Sequence, residues 1–147
     1  MNIGFKHNII EGVEYLTIPS FEETGLVTHC FSTRLGGVST GEYRTLNLGL
    51  NKKDKRDNVL HNFKILTEKL KIDYRNLVFS NQVHEDRIAE VSQMDKGKGI
   101  FVESDIIGVD GLITSERGVP LVTFYADCVP LFFLDPVKKV IALTHSG

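Results

Sequence analysis

The last quarter of the chain constrains the fold most. Val129 to Leu134 and Val140 to Leu143 are two short, predominantly apolar runs separated by Asp135-Pro136. Asp-Pro initiates turns, so the two runs are expected to pair as a hairpin. That hairpin brings Cys128, just before the first run, beside His145, just after the second. A third residue of the same chemistry lies upstream in Asn81-Gln82-Val83-His84, a polar cluster that follows the apolar run Leu77-Val78-Phe79. Two imidazoles and one thiol can hold a metal ion or act as a nucleophile with its base.

The remaining chain reads as short strands around one helix. Ile9-Ile10 and Val13 to Ile18 flank Glu11-Gly12, which predicts a hairpin. Leu26 to Phe31 predicts a further strand, and Ser32 to Glu42 is a loop dense in glycine and hydroxyl residues. Between Asp54 and Lys71, the apolar residues Val59, Leu60, Phe63, Leu66 and Leu70 recur at steps of three and four with charges between them, the period of an amphipathic helix. Leu77–Phe79 and Arg87–Val91 predict strands on either side of the His84 turn, and Lys96 to Ser104 is a loop with no core signal. Gly111–Thr114 and Pro120–Tyr125 predict two more strands before the C-terminal hairpin. The fold class is α/β, with α+β as the variant, and strands outnumber helices.

With 147 residues, 41% of them apolar, the chain can bury one sizeable core, which points to a single domain. The net charge of -2 is spread without a basic stripe, so nucleic acid is not an expected partner. No apolar run reaches the roughly 18 residues of a membrane-spanning helix, and Met1 to Phe21 lacks the pattern of a signal peptide. A cytoplasmic location with no membrane partner is the simplest expectation. Cys30 and Cys128 are too few for a disulfide scaffold.

His84, Cys128 and His145 each follow or end a predicted strand, where a sheet holds a side chain firmly while leaving it reachable. A His2Cys set leaves the fourth position of a zinc ion open, as catalytic zinc sites do. Either histidine could instead activate Cys128 for direct attack. The spacing of 44 and then 17 residues matches no zinc-finger pattern, so a third reading, two hydrogen-bonded histidines and a buried thiol, stays open. Arg34 lies in the glycine-rich loop, where backbone N–H groups and a guanidinium fork are suited to a carboxylate or phosphate, although the loop lacks the Gly-Lys-Ser/Thr ending of a nucleotide-binding P-loop. An ordinary surface loop is the alternative. Asp127 and Cys128, like His29 and Cys30, are adjacent and would point to opposite faces of a strand. His7 and His61 read as surface residues.

Six segments in order make the pattern specific: Phe31-Ser-Thr-Arg-Leu-Gly-Gly-Val-Ser39, Leu46-Asn-Leu-Gly49, Asn81-Gln-Val-His84, Asp110-Gly-Leu-Ile-Thr114, Ala126-Asp-Cys-Val-Pro130 and Thr144-His-Ser-Gly147. Together they resemble the YfiH/laccase-domain family, first labelled polyphenol oxidase and now associated with purine nucleoside phosphorylase and adenosine deaminase activities. The resemblance runs from about Leu26 to Gly147 and implies a mixed β-sheet with flanking helices. It also implies that His84, Cys128 and His145 are the metal-binding and catalytic set, with Arg34 the arginine of the glycine-rich loop. Zinc is the implied cofactor in preference to copper. The five histidines include no His-x-His pair, too few for a multicopper oxidase.

The function implied is phosphorolysis of adenosine- or inosine-type nucleosides, with purine nucleoside and phosphate as partners and adenosine deamination as a companion activity. The usual zinc-deaminase signature, His-x-Glu with Pro-Cys-x-x-Cys, is absent, because Glu85 directly follows His84 and Leu131 stands three residues after Cys128. Two alternatives are a metal-independent Cys-His hydrolase and a non-catalytic remnant. Two departures from the family pattern stand out. Glu85 occupies a position that is usually glycine, and the chain stops where the family continues into a tryptophan-arginine-glycine segment. The expectation is therefore one incomplete domain over residues 1–147, with a recognisable metal site and impaired or absent activity on its own.

Overall fold

The computed structural model describes residues 4–147, which form two compact units, divided between Tyr74 and Arg75. In the first, β1 (Lys6–Ile10) and β2 (Val13–Thr17) form the expected hairpin. Glu11 and Gly12 both take positive φ, 51° and 82°, which lets a two-residue turn follow the twist of the strands. β2 alternates buried Val13, Tyr15 and Thr17 with half-buried Glu14 and Leu16, the period-two pattern of a strand with one face on a core. A short helix α1 (Pro19–Glu22) follows, and then β3 (Phe31–Ser32) adds antiparallel to β2.

The strand expected over Leu26–Phe31 is thus reduced to two residues further on. Its would-be partner runs out of ladder donors: the Ile18 N–H donates to the His29 ring, and Pro19 has no N–H. The helix expected over Asp54–Lys71 is present as α2 (Arg56–Lys69), its buried side formed by Val59, Phe63 and Leu66. Val13, Tyr15, Leu46 and Leu66 make one core cluster, with Cys30 packed against it. Burial there pushes the Cys30 thiol up to about 12.

The glycine-rich loop is built into this unit. The amides of Gly36 and Gly37 donate to the Thr45 hydroxyl, Val38 N–H donates to Asn62 Oδ1, and Ser39 N–H donates to the Thr45 carbonyl. Asn62, fully buried on α2, also donates to Ser39 Oγ and to the Asn47 carbonyl. A Cβ on Gly37 would lie 2.3 Å from the Thr45 carbonyl oxygen and 2.4 Å from Asn62 Oδ1.

The second unit holds two sheets. β4 (Val78–Phe79) pairs in parallel with β7 (Leu121–Val122). The larger sheet has the order β5-β6-β9-β8, formed by Ile88–Glu90, Gly111–Thr114, Val140–Ser146 and Val129–Asp135. β5 and β6 run parallel, and the other neighbours are antiparallel. The C-terminal hairpin is as expected, with Asp135 paired to Val140 and the Asp135 carboxylate accepting from the turn amides of Val137 and Lys138. Along β8, Val129, Leu131 and Phe133 are exposed on one face, while Val78, Val91, Ile106, Val109, Leu112 and Val119 form the core cluster of the unit.

Two expectations need correction here. The strand at Pro120–Tyr125 shortens to Leu121–Val122, because the Gln82 side-chain amide takes both the N–H and the carbonyl of Phe124 in place of a neighbouring strand. The segment Lys96–Ser104 does contribute to the core. It folds against β4 through Gly97 N–H to the Leu77 carbonyl and Phe79 N–H to the Lys98 carbonyl, and it buries Ile100.

Two measurements test this packing. Gly37→Ala is expected to lower unfolding stability in urea by about 1–3 kcal/mol, the cost of overpacking against backbone, whereas Gly25→Ala, whose Cβ would meet nothing within 4 Å, pays only the strain of its φ of 64°. For Cys30, the folded thiol is the weaker acid, so its contribution to stability is complete below the ordinary thiol value of 9.0 and is lost as pH rises from there toward 12. Thiol labelling at pH 8 is expected to modify Cys128 rapidly and Cys30 only after unfolding, read by mass spectrometry of the two peptides.

Candidate metal centre

Three segments of the second unit converge on one point. His84 sits in the turn between β4 and β5, Cys128 immediately precedes β8, and His145 lies near the end of β9. Each offers one ligand atom, and these atoms lie within 4.8 Å of one another, the one such group among the described residues. Cys128 Sγ is 3.8 Å from His84 Nε2. The two imidazoles meet edge to face with centroids 4.7 Å apart. Exposure is graded: His84 is exposed, Cys128 half-buried and His145 only 7% exposed.

The local backbone explains this convergence. Ladder pairing of Gly111 with Thr144 and of Pro130 with His145 fixes the β6, β8 and β9 ends in register. His145 occupies the same side of β9 as Leu143, whose partner Leu112 is fully buried, so its ring turns inward. His84 has φ 64°, the left-handed region that a non-glycine residue enters only when its surroundings hold it there. Glu85 has no positive φ, so the departure from glycine at this position leaves the turn intact.

What holds the turn is Asp110, 2% exposed, immediately before β6. Its Oδ1 accepts from His84 N–H at 2.9 Å and faces His145 Nδ1 at 2.9 Å. Its Oδ2 accepts from the Val83 and Glu85 amides, each at 3.0 Å. Its carbonyl accepts from His145 N–H at 2.7 Å. Burial alone would raise the Asp110 carboxyl, but the Glu85 and Val83 amides, the His145 ring and the His84 amide together outweigh it and hold the group at about 2. Asp110 is the site residue that sequence reasoning passed over. It stands at the head of Asp110-Gly-Leu-Ile-Thr114, and the available signal was a carboxylate directly before an apolar strand.

Around these three residues, Tyr125 tilts over His145 with ring centroids 5.8 Å apart and donates its hydroxyl to the Thr144 carbonyl. Asp127, the neighbour of Cys128, is exposed. His29 and Cys30 do not form a second site, since the His29 ring accepts the Ile18 amide and Cys30 packs against the core. His7 is exposed and pairs with Glu14, and His61 is exposed on α2.

Arg34 belongs to the first unit. Its Nε and Nη2 donate to the Arg44 carbonyl at 3.1 and 2.8 Å. The loop amides that might have cradled an anion are engaged by Thr45 and Asn62, so an anion at Arg34 would rest on the exposed guanidinium and not on a backbone nest.

The donor set fits a metal ion. A thiolate and two imidazoles are ligands for zinc and for other transition metals. With Nδ1 of His145 occupied by Asp110, Nε2 is the nitrogen left for an ion, and a carboxylate behind a ligating histidine is the usual second partner at such sites.

The chain is similar to known proteins over most of its length. The sequence model of the family described as multi-copper polyphenol oxidoreductase laccase matches residues 28–147. The chain belongs to that family. Among curated relatives, the purine nucleoside phosphorylase YlmD of Bacillus subtilis is 39% identical over 118 residues, 80% of this chain and 42% of its own length. A purine nucleoside phosphorylase of Staphylococcus epidermidis is 31% identical over 97% of this chain and 54% of its own. Among solved structures, a Bacillus licheniformis protein titled YfiH superposes with a TM-score of 0.85 at 32% identity, covering 99% of this chain and 53% of its own. Geobacillus stearothermophilus YlmD gives 0.84 at 34% identity, covering 97% and 52%. The mixed α/β fold is therefore shared, and the chain spans about half the length of the relatives it matches.

Titration of the metal-free chain with Co2+ is expected to give one equivalent bound, with a thiolate-to-metal absorption band in the near ultraviolet. Cys128→Ser is expected to abolish that band and His145→Ala to weaken binding at least tenfold.

Proposed function

We propose that this chain supplies the metal centre of a purine nucleoside phosphorylase, an enzyme that splits adenosine- or inosine-type nucleosides with phosphate. The observation that carries the proposal is the convergence of His84, Cys128 and His145 in a chain 39% identical to a relative named for that activity. In the overall reaction, a phosphate oxygen bonds to the ribose C1′, the bond from C1′ to the purine nitrogen breaks, and the departing base takes up a proton. The products are ribose 1-phosphate and free base.

His84 Nε2, Cys128 Sγ and His145 Nε2 would hold the ion, with zinc the choice that suits this donor set. Bound there, zinc supplies Lewis acidity toward an oxygen or water of the reacting groups. The protein residues do the rest. His145 is held by Asp110, and His84 keeps the exposed side of the centre within reach of a small substrate. Tyr125 and Thr123 share a hydrogen bond beside His145, a polar edge suited to orienting a sugar or base. Arg34 is proposed as an anion-binding residue through the guanidinium N–H groups that do not face Arg44. Adenosine deamination is proposed as a companion activity of the same centre, and the cytoplasm as its location. Among the described residues, no helix is long and apolar enough to cross a membrane.

One specific observation favours a second reading. The 3.8 Å approach of Cys128 Sγ to His84 Nε2 is also the geometry of a loosely closed nucleophile–base pair. Chelation separates the two. The zinc reading expects base release from inosine to require phosphate, to fall at least a hundredfold on metal removal and to return with Zn2+. Turnover that survives chelation but disappears in Cys128→Ser would establish the metal-free hydrolase instead. Base release should be measured for the chain alone and for the chain joined to the part of YlmD that the match leaves uncovered. Failure of both to turn over any purine nucleoside would leave a non-catalytic role.

A further inference from the structure

We infer that Asp110 is a positioning residue that couples the two histidines of the centre, fixing the ring of one and the backbone of the other through a single carboxylate. This rests on the reading of His84, Cys128 and His145 as metal ligands.

The division of labour between its two oxygens carries the inference. Oδ2 serves only the turn, accepting from Val83 and Glu85 at 3.0 Å each. Oδ1 serves both ligands, with His84 N–H and His145 Nδ1 each at 2.9 Å. A buried carboxylate has no donor of its own, so the hydrogen in the contact with His145 is the one on Nδ1, and Nε2 is left with its lone pair. A free neutral imidazole can carry its proton on either nitrogen, so this contact selects the tautomer that can ligate through Nε2.

On the other side, three successive amides, those of Val83, His84 and Glu85, point at one carboxylate. This closes a small anion nest around a residue whose φ is 64°. In this backbone conformation His84 Nε2 lies 3.8 Å from Cys128 Sγ. With all its acceptor positions filled by these four donors, the carboxylate cannot slacken toward one histidine without releasing the other. The Asp110 carbonyl adds a third tie, to His145 N–H at 2.7 Å.

Asparagine separates these roles, because its amide offers one oxygen. With that oxygen toward His145, its NH2 would face the Val83 and Glu85 amides. In the reverse orientation, the amide would donate toward the His145 ring and select the other tautomer. Two readouts on the purified chain test the coupling. Nitrogen-15 spectra of the metal-free protein above pH 8 report the His145 tautomer, and Co2+ titration by absorption reports affinity.

The expected result is His145 in the Nδ1–H form in the parent chain. Asp110→Asn is expected to show a mixed or reversed tautomer and Co2+ binding weaker by about 10–100-fold. Asp110→Glu, which keeps the charge but displaces the oxygens, is expected to be intermediate. A folded Asp110→Asn protein with the parental tautomer and affinity would overturn the inference. Should that variant fail to fold, Glu85→Pro, which deletes one of the three amide donors without touching the carboxylate, is expected to weaken Co2+ binding; unchanged affinity would again overturn it. Normal metal binding and tautomer without phosphorolysis would count against the proposed activity while leaving the coupling in place. A chain that binds no metal yet shows the Asp110-dependent tautomer would remove the metal reading alone. A parent chain with His145 in the Nε2–H form would remove the coupling itself.

Discussion

A buried carboxylate with four donors is the interaction on which the second unit depends. Asp110 is two residues from fully buried Leu112, so it cannot retreat to solvent, and an unpaired charge there would cost several kcal/mol. It is satisfied by recruiting the turn after β4 and the end of β9. The same bonds that remove the desolvation penalty therefore draw together two chain segments 61 residues apart in sequence. Cys128 arrives by a different route, carried by the ladder that pairs β8 with β9. The centre is thus assembled by one electrostatic requirement and one sheet register.

Much of this was legible in the residues. The Asp135-Pro136 hairpin, the Glu11-Gly12 hairpin, the amphipathic helix and the strand Gly111–Thr114 all follow from local chemistry, and the structure has them at nearly the same positions. The ordered motifs pointed to the family, and the histidines and thiol that they single out do meet. What was not legible depended on side chains acting as backbone. Gln82 completes the hydrogen bonding of Phe124, Asn62 that of Val38, and the His29 ring that of Ile18. Each such substitution shortens a strand or fixes a loop, and none leaves a periodic signal.

The glycine-rich loop shows the same limit from the other side. Its composition suggested open amides awaiting an anion, yet a glycine can be needed because something else is too close. At Gly37 the space a side chain would fill is taken by the Thr45 carbonyl and the Asn62 amide. The loop's donors are engaged within its own architecture, and the Arg34 guanidinium is fixed against the Arg44 carbonyl.

The graded exposure of His84, Cys128 and His145 gives the cluster an outer and an inner side. His84 lies where solvent reaches it, Cys128 is half-buried and His145 faces the interior. The outermost imidazole is fixed through its backbone N–H to Asp110, whereas Cys128 and His145 are placed by the β8–β9 ladder. Anything approaching this cluster from solution therefore meets a single side chain, the His84 imidazole, before the two that the sheet shelters.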